Sequence, residues 1–452
     1  MTGLWFETAL LPGGWADGVR LGIADGLIRH VEVSVPPAPD DERHGIAVPG
    51  LCNLHSHAFQ RGMAGLTEVR ADCGGSFWTW RDVMYRFVDR IEPEDIATIA
   101  AQAYVEMLEA GFTRVAEFHY LHHARDGGAY DDIAEHAVRI AAAAEQTGIA
   151  LTLLPVFYAH AGFGGTPPGH GQRRFVTDPD QFGRLMDASR RAIAPLPGAV
   201  LGLAPHSLRA ATVADIRAIL PLRRTGPIHI HIAEQAWEVD DCLTWCGRRP
   251  VEHLLDSIQV DESWCLIHAT HLTASETARL AASGAVVGLS PITEANLGDG
   301  IFPARDYVAA GGRLGIGSDS NILIDAAGEL RQLEYSQRLA LRARNVLTTV
   351  ETPSSGRLLF DVACHGGAQA CGITPAHIAL GHPADLLSLN PHDPSLAARH
   401  GNALLDSWIF AARRGLVDCV WRHGTKLVSQ GRHHRRDSIA SQFRSKLEAL
   451  MA

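Results

Sequence analysis

The pair His55-Ser56-His57 closes an apolar run over residues 46–54. Alternate side chains on a strand point to one face, so the two imidazoles can grip a single ion together. Far downstream, His231, His268 and Asp319 each close another apolar run, and Glu234 follows His231 by three residues. Groups of type His, His, His and Asp at strand ends are the nitrogen and oxygen donors of a catalytic zinc, with one position left open for water. A Glu and a further His nearby supply the proton transfers that activated water requires. A His-x-His alone is more often a pair of satisfied core histidines. Its coincidence with another His, an Asp and a Glu, all at strand ends, argues for metal chemistry.

These groups need a scaffold that brings strand ends together. From residue 48 to about 319 short apolar strands alternate with helical patterns. The strands end near His55, His119, Tyr158, His206, His231, His268, Ser290 and Asp319, and Ala-rich helical patterns cover 93–110, 129–147, 178–194, 212–220 and 274–283. Such alternation predicts an α/β chain folded as a (β/α)8 TIM barrel, whose chemistry sits at the C-terminal ends of the strands. His55 and His57 then belong to strand one, His231 to strand five, His268 to strand six and Asp319 to strand eight, all at one mouth. The flanks read as short strands too few to be stable separately. The expected organisation is a composite β-sandwich from 1–47 plus 376–431, a barrel over 48–375 and a C-terminal helix over 432–452.

Composition narrows the function. The chain has 452 residues, 46% hydrophobic and 20% charged, with a net charge of -10. That balance fits a large globular domain with a smaller one and argues against a nucleic-acid partner. No signal peptide and no membrane-spanning stretch are read, so the expectation is cytoplasmic. Eight scattered cysteines, Cys242-x-x-x-Cys246 among them, are expected to be buried thiols. Of the 24 histidines, His122, His123, His433 and His434 are expected in loops without a catalytic part, and 432–436 as a solvated basic loop.

The chain resembles the amidohydrolase superfamily through Pro49-Gly50-x-x-Asn53-x-His55-x-His57, His231-x-x-Glu234, His268 and Gly317-Ser318-Asp319. The His-x-x-Glu pair on strand five is similar to the deaminase branch. Residues 53–61, 77–81, 116–120 and 293–300 resemble more narrowly the formimidoylglutamate deiminases of a bacterial histidine-degradation route. Ser290 before Pro291 stands where related deaminases often carry Cys. The resemblance implies hydrolysis of N-formimino-L-glutamate to N-formyl-L-glutamate and ammonia, and a homodimer. It assigns His55, His57, His231 and Asp319 as zinc ligands. Many superfamily members bridge two metals with a carboxylated lysine on strand four. Here the only lysines are Lys426 and Lys446, so one zinc per chain is expected.

The catalytic roles follow. Asp319 accepts a proton from the attacking water or orients it, Glu234 shuttles protons from water to nitrogen, and His268 hydrogen-bonds the attacking oxygen. The resemblance further implies a substrate pocket of Gln60, Arg81, Tyr120, His206 and Arg209. Two guanidinium forks suit a small molecule with two carboxylates. Arg81 has a rival reading, since it lies in an aromatic-rich loop where it could pack on Trp78 or Trp80. Glu117, His119 and Glu294 are candidates for supporting contacts. Two other functions compete. A zinc deaminase of a nucleobase, pterin or triazine ring would want apolar walls and amide contacts, and a non-catalytic barrel would show gaps in the ligand set.

Overall fold

The computed structural model describes residues 2–69 and 77–452, except the side chains of Phe77 and Trp78. The chain opens with β1 (Thr2–Leu11), β2 (Gly14–Ala24), β3 (Leu27–Glu32) and β4 (Glu42–Pro49). It continues through β5 (Leu51–Ser56), β6 (Phe112–His119), β7 (Ala150–Phe157), β8 (Val200–Leu201) and β9 (Ala204–Pro205). Then come β10 (Ile228–Ile232), β11 (Trp264–His268), β12 (Val286–Leu289) and β13 (Arg313–Ile316), and finally β14 (Leu386–Leu389), β15 (Val417–Arg422), β16 (Thr425–Ser429) and β17 (Arg432–His433).

The middle strands are parallel. One sheet runs β5-β6-β7-β8, with β9 also on β7, and a second runs β10-β11-β12-β13. Parallel bridges Leu203↔Ile228 and Ser207↔His231 stitch one pair of edges, and Ser56↔Asp319 stitches the other. Every residue of β5, β6, β7, β10, β11 and β12 is buried, as parallel strands covered on both faces must be. The covering helices include Pro93–Glu109, Glu135–Thr147, Pro179–Ile193, Val213–Ile219 and Ala274–Ser283, within a few residues of the helical patterns except at the start of the second. Their ends carry the expected signals. Thr212, Thr273 and Asp178 accept N-cap hydrogen bonds, and Gly148 and Gly284 adopt left-handed C-caps.

Both chain ends pair in a single eight-stranded sheet, in the order β17-β16-β15-β14-β4-β1-β2-β3. It has its own apolar cluster, including Leu4, Phe6, Val19, Leu21, Leu386 and Trp421.

Several sequence expectations change. The apolar run before His55 is two strands. At Gly50 the chain passes from pairing with β14 to pairing with β6, and only glycine fits there, since a Cβ would lie 2.3 Å from the Thr113 side chain. Val48 and Pro49 pair with Leu387 and Leu386, so the mixed sheet extends past a boundary drawn at 47/48. The C-terminal helix is Arg436–Met451, because Arg432–His433 pairs as an edge strand. Within the 432–436 stretch Arg432, His434 and Arg435 are exposed, as a solvated loop would have them, but the other two residues are tied down. His433 is buried with its Nε2 on the Thr147 carbonyl at 2.9 Å, and Arg436 pairs with Glu109. His122 and His123 do lie outside regular elements, but both are buried, their rings bonded to the Val156 and Val176 carbonyls. Cys242 is buried and Cys246 partly exposed, their sulfurs 4.0 Å apart. Three helices beyond Asp319, Ala326–Leu341, Ser355–Ala370 and Asn402–Phe410, fall outside the helical patterns of the sequence reading. Among the described residues no helix is long and apolar enough to cross a membrane.

Candidate active site

Two strand ends meet first. Asn53 Nδ2 donates to Ser318 Oγ at 2.6 Å, and Asn53 Oδ1 accepts from the Ser318 amide at 3.0 Å. Ser318 Oγ donates to Asn321 Oδ1 at 2.6 Å, and Asn321 Nδ2 reaches Ser56 Oγ and the His57 and Asp319 carbonyls at 3.0–3.1 Å. The His57 amide donates to the Asp319 carbonyl and the Asp319 amide to the His55 carbonyl, both at 2.9 Å. This clasp fixes β5 against the turn after β13. It also holds Asp319 at φ +44, in the left-handed region that non-glycine residues rarely occupy.

The clasp delivers ligand atoms to one point. The ring nitrogens of His55, His57 and His231 all lie within 4.8 Å of one another. His55 Nε2 stands 3.0 Å from His231 Nε2, and Asp319 Oδ1 lies 3.3 Å from His57 Nε2 and 3.6 Å from His55 Nε2. The other ring nitrogens explain the orientation. His57 Nδ1 faces the Phe118 carbonyl at 2.9 Å and His231 Nδ1 the His206 carbonyl at 3.1 Å, so each donates there and turns an Nε2 lone pair inward. Burial holds the His55 and His231 rings well below their ordinary pKa and brings His57 down to about 3. Neutral imidazole lone pairs converging with a carboxylate oxygen repel one another unless a cation lies between them. Three imidazoles and one carboxylate are a fitting donor set for zinc. Burial pushes the Asp319 carboxyl up to about 7, against the pull of His268, with Glu234 and Glu294 adding to the rise. A divalent ion at this point inverts that balance and keeps the carboxylate ionised.

A histidine and three acids border these groups. His268, also at left-handed φ (+68), lies 3.8 Å from Asp319 Oδ2 and 4.0 Å from Glu234 Oε1. Its Nδ1 is 3.2 Å from Glu294 Oε1, which also accepts the Ser290 amide at 3.0 Å. Burial lowers the His268 pKa, but the Glu294 hydrogen bond and the charges of Glu234, Asp319 and Glu294 outweigh it and lift it to about 10. A protonated His268 can donate toward the pocket. Glu117 lies behind His57, accepting the Ala58 amide at 2.6 Å and the Tyr104 hydroxyl at 3.3 Å. His119 is buried beside His122 and His136.

The pocket above is lined by His57, His231, Glu234, His268 and Asp319 together with Gln60, Arg81, Tyr120, His206 and Arg209. The predicted substrate groups are thus all present. Gln60 Nε2 donates to the Tyr120 hydroxyl at 2.8 Å. Burial first, then Arg209 and His57, keeps the His206 ring well below its ordinary pKa and hence neutral. Arg209 lies over the Trp237 ring at 5.1 Å, with Nη2 3.5 Å from Glu234 Oε2 and 3.8 Å from Glu238 Oε2. Arg81 sits in a helix, Phe77–Val88, and not in a loop. Its guanidinium lies 5.4 Å from the Tyr85 ring centroid, one turn on, while packing on Trp78 falls outside the described residues. Sequence reasoning missed Tyr85, Tyr158 and Glu238. Tyr158 follows β7 as Tyr120 follows β6, so its position was the available signal, and Glu238 follows Glu234 by four residues.

The chain belongs to the amidohydrolase family, whose model matches residues 46–427. Residues 1–45 match the model described as the N-terminal domain of formimidoylglutamate deiminase HutF. The chain is 51% identical over 447 residues to the formimidoylglutamate deiminase of Pseudomonas aeruginosa, covering 98% of each chain. It is 29% identical to the 8-oxoguanine deaminase of the same organism, over 85% of this chain and 83% of that one. The crystal structure of an amidohydrolase from Brucella melitensis superposes with a TM-score of 0.97 at 52% identity, covering all of both chains. An adenosine deaminase from Xanthomonas campestris shares the fold, with a TM-score of 0.81 at 22% identity over 99% and 98%.

Proposed function

We propose that this chain is a hydrolytic deiminase that converts N-formimino-L-glutamate and water to N-formyl-L-glutamate and ammonia in histidine degradation. The observation that carries this reading is two arginines, Arg81 and Arg209, lining the same pocket as His57, His231 and Asp319. A linear amidine with two carboxylates matches that combination. The 51% identity to a formimidoylglutamate deiminase along nearly the whole chain supports it. We read the closed order of parallel strands as a (β/α)8 barrel, and the sheet built from both chain ends as the composite sandwich beside it. A homodimer is part of the same proposal.

His55, His57, His231 and Asp319 would hold one zinc ion per chain, and no barrel lysine exists to bridge a second. When bound, zinc supplies the polarisation that brings the pKa of water toward neutrality. The protein's own groups do the rest. Glu234 takes the proton that water loses on attacking the formimino carbon and returns it to the departing nitrogen. His268, held as a donor by Glu294, gives a hydrogen bond to the oxygen as negative charge gathers there. Asp319 orients the attacking water or takes up a proton. Arg209, Arg81, Gln60, Tyr120 and His206 fix the substrate so that its formimino carbon faces this group. The C–N bond breaks and ammonia leaves, so atoms and charge balance without any redox partner.

The aromatic walls, Tyr85, Tyr120, Tyr158 and Phe175, favour a second reading, a zinc deaminase of a nucleobase, pterin or triazine ring. Ammonia release from N-formimino-L-glutamate, compared with a panel of nucleobases, separates the two. Turnover of a ring with none of the linear amidine would replace the first reading by the second.

A further inference from the structure

We propose that Glu238 is a positioning residue for this reaction, setting both the proton-carrying Glu234 and the anion-reading Arg209. The proposal rests on the function proposed above and extends it to a residue away from the reacting atoms.

Glu238 is fully buried in the first turn of the helix Ala236–Cys246. An acid there ordinarily serves its own helix, accepting amides of the first turn or offsetting the dipole. Glu238 instead turns both oxygens back out of the helix. Oε1 accepts the Ala233 amide and Oε2 the Glu234 amide, each at 3.1 Å. Those two residues form the turn that carries the chain from ligand His231 to Glu234. The turn is strained, for Ala233 lies at φ +49, where a side chain is disfavoured. A two-pronged acceptor across it fixes the direction in which Glu234 enters the pocket. The same Oε2 stands 3.8 Å from Arg209 Nη2, whose other acidic neighbour is Glu234 at 3.5 Å. When a substrate carboxylate engages Arg209, Glu238 keeps a counter-charge behind it and Glu234 is released for proton transfer. A buried carboxylate whose polar partners are all elements of the site is costly as mere filling. The spacing His231, Glu234, Glu238 compresses ligand, proton carrier and holder into eight residues.

The test uses the full-length metal-loaded enzyme with Glu238→Gln and Glu238→Asp. Substrates are N-formimino-L-glutamate and its two mono-amide analogues, each with one carboxylate neutralised. Glu238→Gln keeps the size but offers one acceptor and no charge. It is expected to retain metal by elemental analysis while kcat falls about 10–100-fold, the range for groups that orient a site from behind. Its KM for the dianion should rise, and that rise should vanish with the analogue lacking the carboxylate that Arg209 reads. Glu238→Asp keeps the charge beside Arg209 but is a methylene short of the two amides, so KM should stay near the parent while kcat falls. Parent-like kcat, KM and pH profile in both variants, with only a lowered melting temperature, would make Glu238 a structural residue and overturn the proposal. If the Gln variant does not fold, the Asp variant decides alone, because parent-like kcat in it is already fatal. A parent that releases no ammonia from N-formimino-L-glutamate brings down the substrate reading and this proposal with it. An active parent with unchanged variants brings down the proposal only.

Discussion

Replacing Arg209 by Met removes a charge while keeping most of the stem's packing over Trp237. At 3.5 Å, with an effective dielectric of about 20, a guanidinium and a carboxylate attract by roughly 5 kcal/mol. Part of that attraction is returned as desolvation, and truncating one partner of a buried charge pair costs about 2–5 kcal/mol. In the complex the partner is a substrate carboxylate, so the loss falls on binding and on orientation of the formimino carbon. A central value near 3 kcal/mol corresponds to a fall in kcat/KM of about 10²–10³-fold. The residual acids carry a second readout. Burial already pushes the Glu238 carboxyl up, Arg209 pulls it back and Glu234 pushes it up again. Without Arg209, Glu238 should hold a proton to higher pH. The assay is ammonia release from N-formimino-L-glutamate and from analogues in which one carboxylate or the other is an amide. If Arg209 reads one carboxylate, the substitution costs little extra with the matching analogue. Equal losses with all three substrates would refute the reasoning and give Arg209 a role in holding the Glu234 turn instead.

Glu234→Gln should keep the metal and lose about 10²–10⁴-fold in turnover, and a variant within threefold or so of the parent rate would remove Glu234 from proton transfer. Elemental analysis of protein purified without added metal should find one tightly held divalent ion per chain, and two needed for full activity would contradict a centre without a bridging lysine. Burial pushes the Glu117 carboxyl up to about 8 from its ordinary 4.5, against the hydrogen bonds from Ala58, Ser56 and Tyr104. A raised folded pKa stabilises the fold fully below the unfolded value and loses that contribution as pH rises through the folded one. Metal-free parent should therefore lose melting temperature relative to Glu117→Gln between about pH 5 and 8, and parallel melting curves across that range would contradict the shift.

That His55, His57, His231, His268 and Asp319 converge could be read from sequence because the signals are local. His55 and His57 alternate on one strand, and His231, His268 and Asp319 each end an apolar run. Arg81 reads as a loop residue because the aromatic residues around it obscure helical periodicity, and the sequence of residues 70–76 adds no clear pattern. Glu238 was invisible for a different reason. Its role depends on the left-handed turn at Ala233, and a backbone dihedral at an alanine leaves no mark in residue types. The break at Gly50 and the pairing of β4 with β14 depend on a partner strand more than 330 residues away, which no short window can show. The helices after Asp319 follow β13, the last of the middle parallel strands, where no further strand of that kind frames them.

The Asn53–Ser318–Asn321 clasp joins residues 265 positions apart. Closing so long a loop is entropically unfavourable until the intervening strands have formed, so this contact belongs late in folding. A chain leaving the ribosome presents His55 and His57 long before Asp319 exists. During that interval the imidazoles can capture a stray ion only weakly, because the carboxylate is still absent and, until residue 231 is made, so is the third imidazole. With the proposed ligand set, final metal choice would be deferred to a nearly complete protein, when cavity shape and all four donors act together. Metal loading then doubles as a checkpoint on synthesis: truncated chains ending before residue 319 should leave metal in the medium, to be claimed by finished molecules.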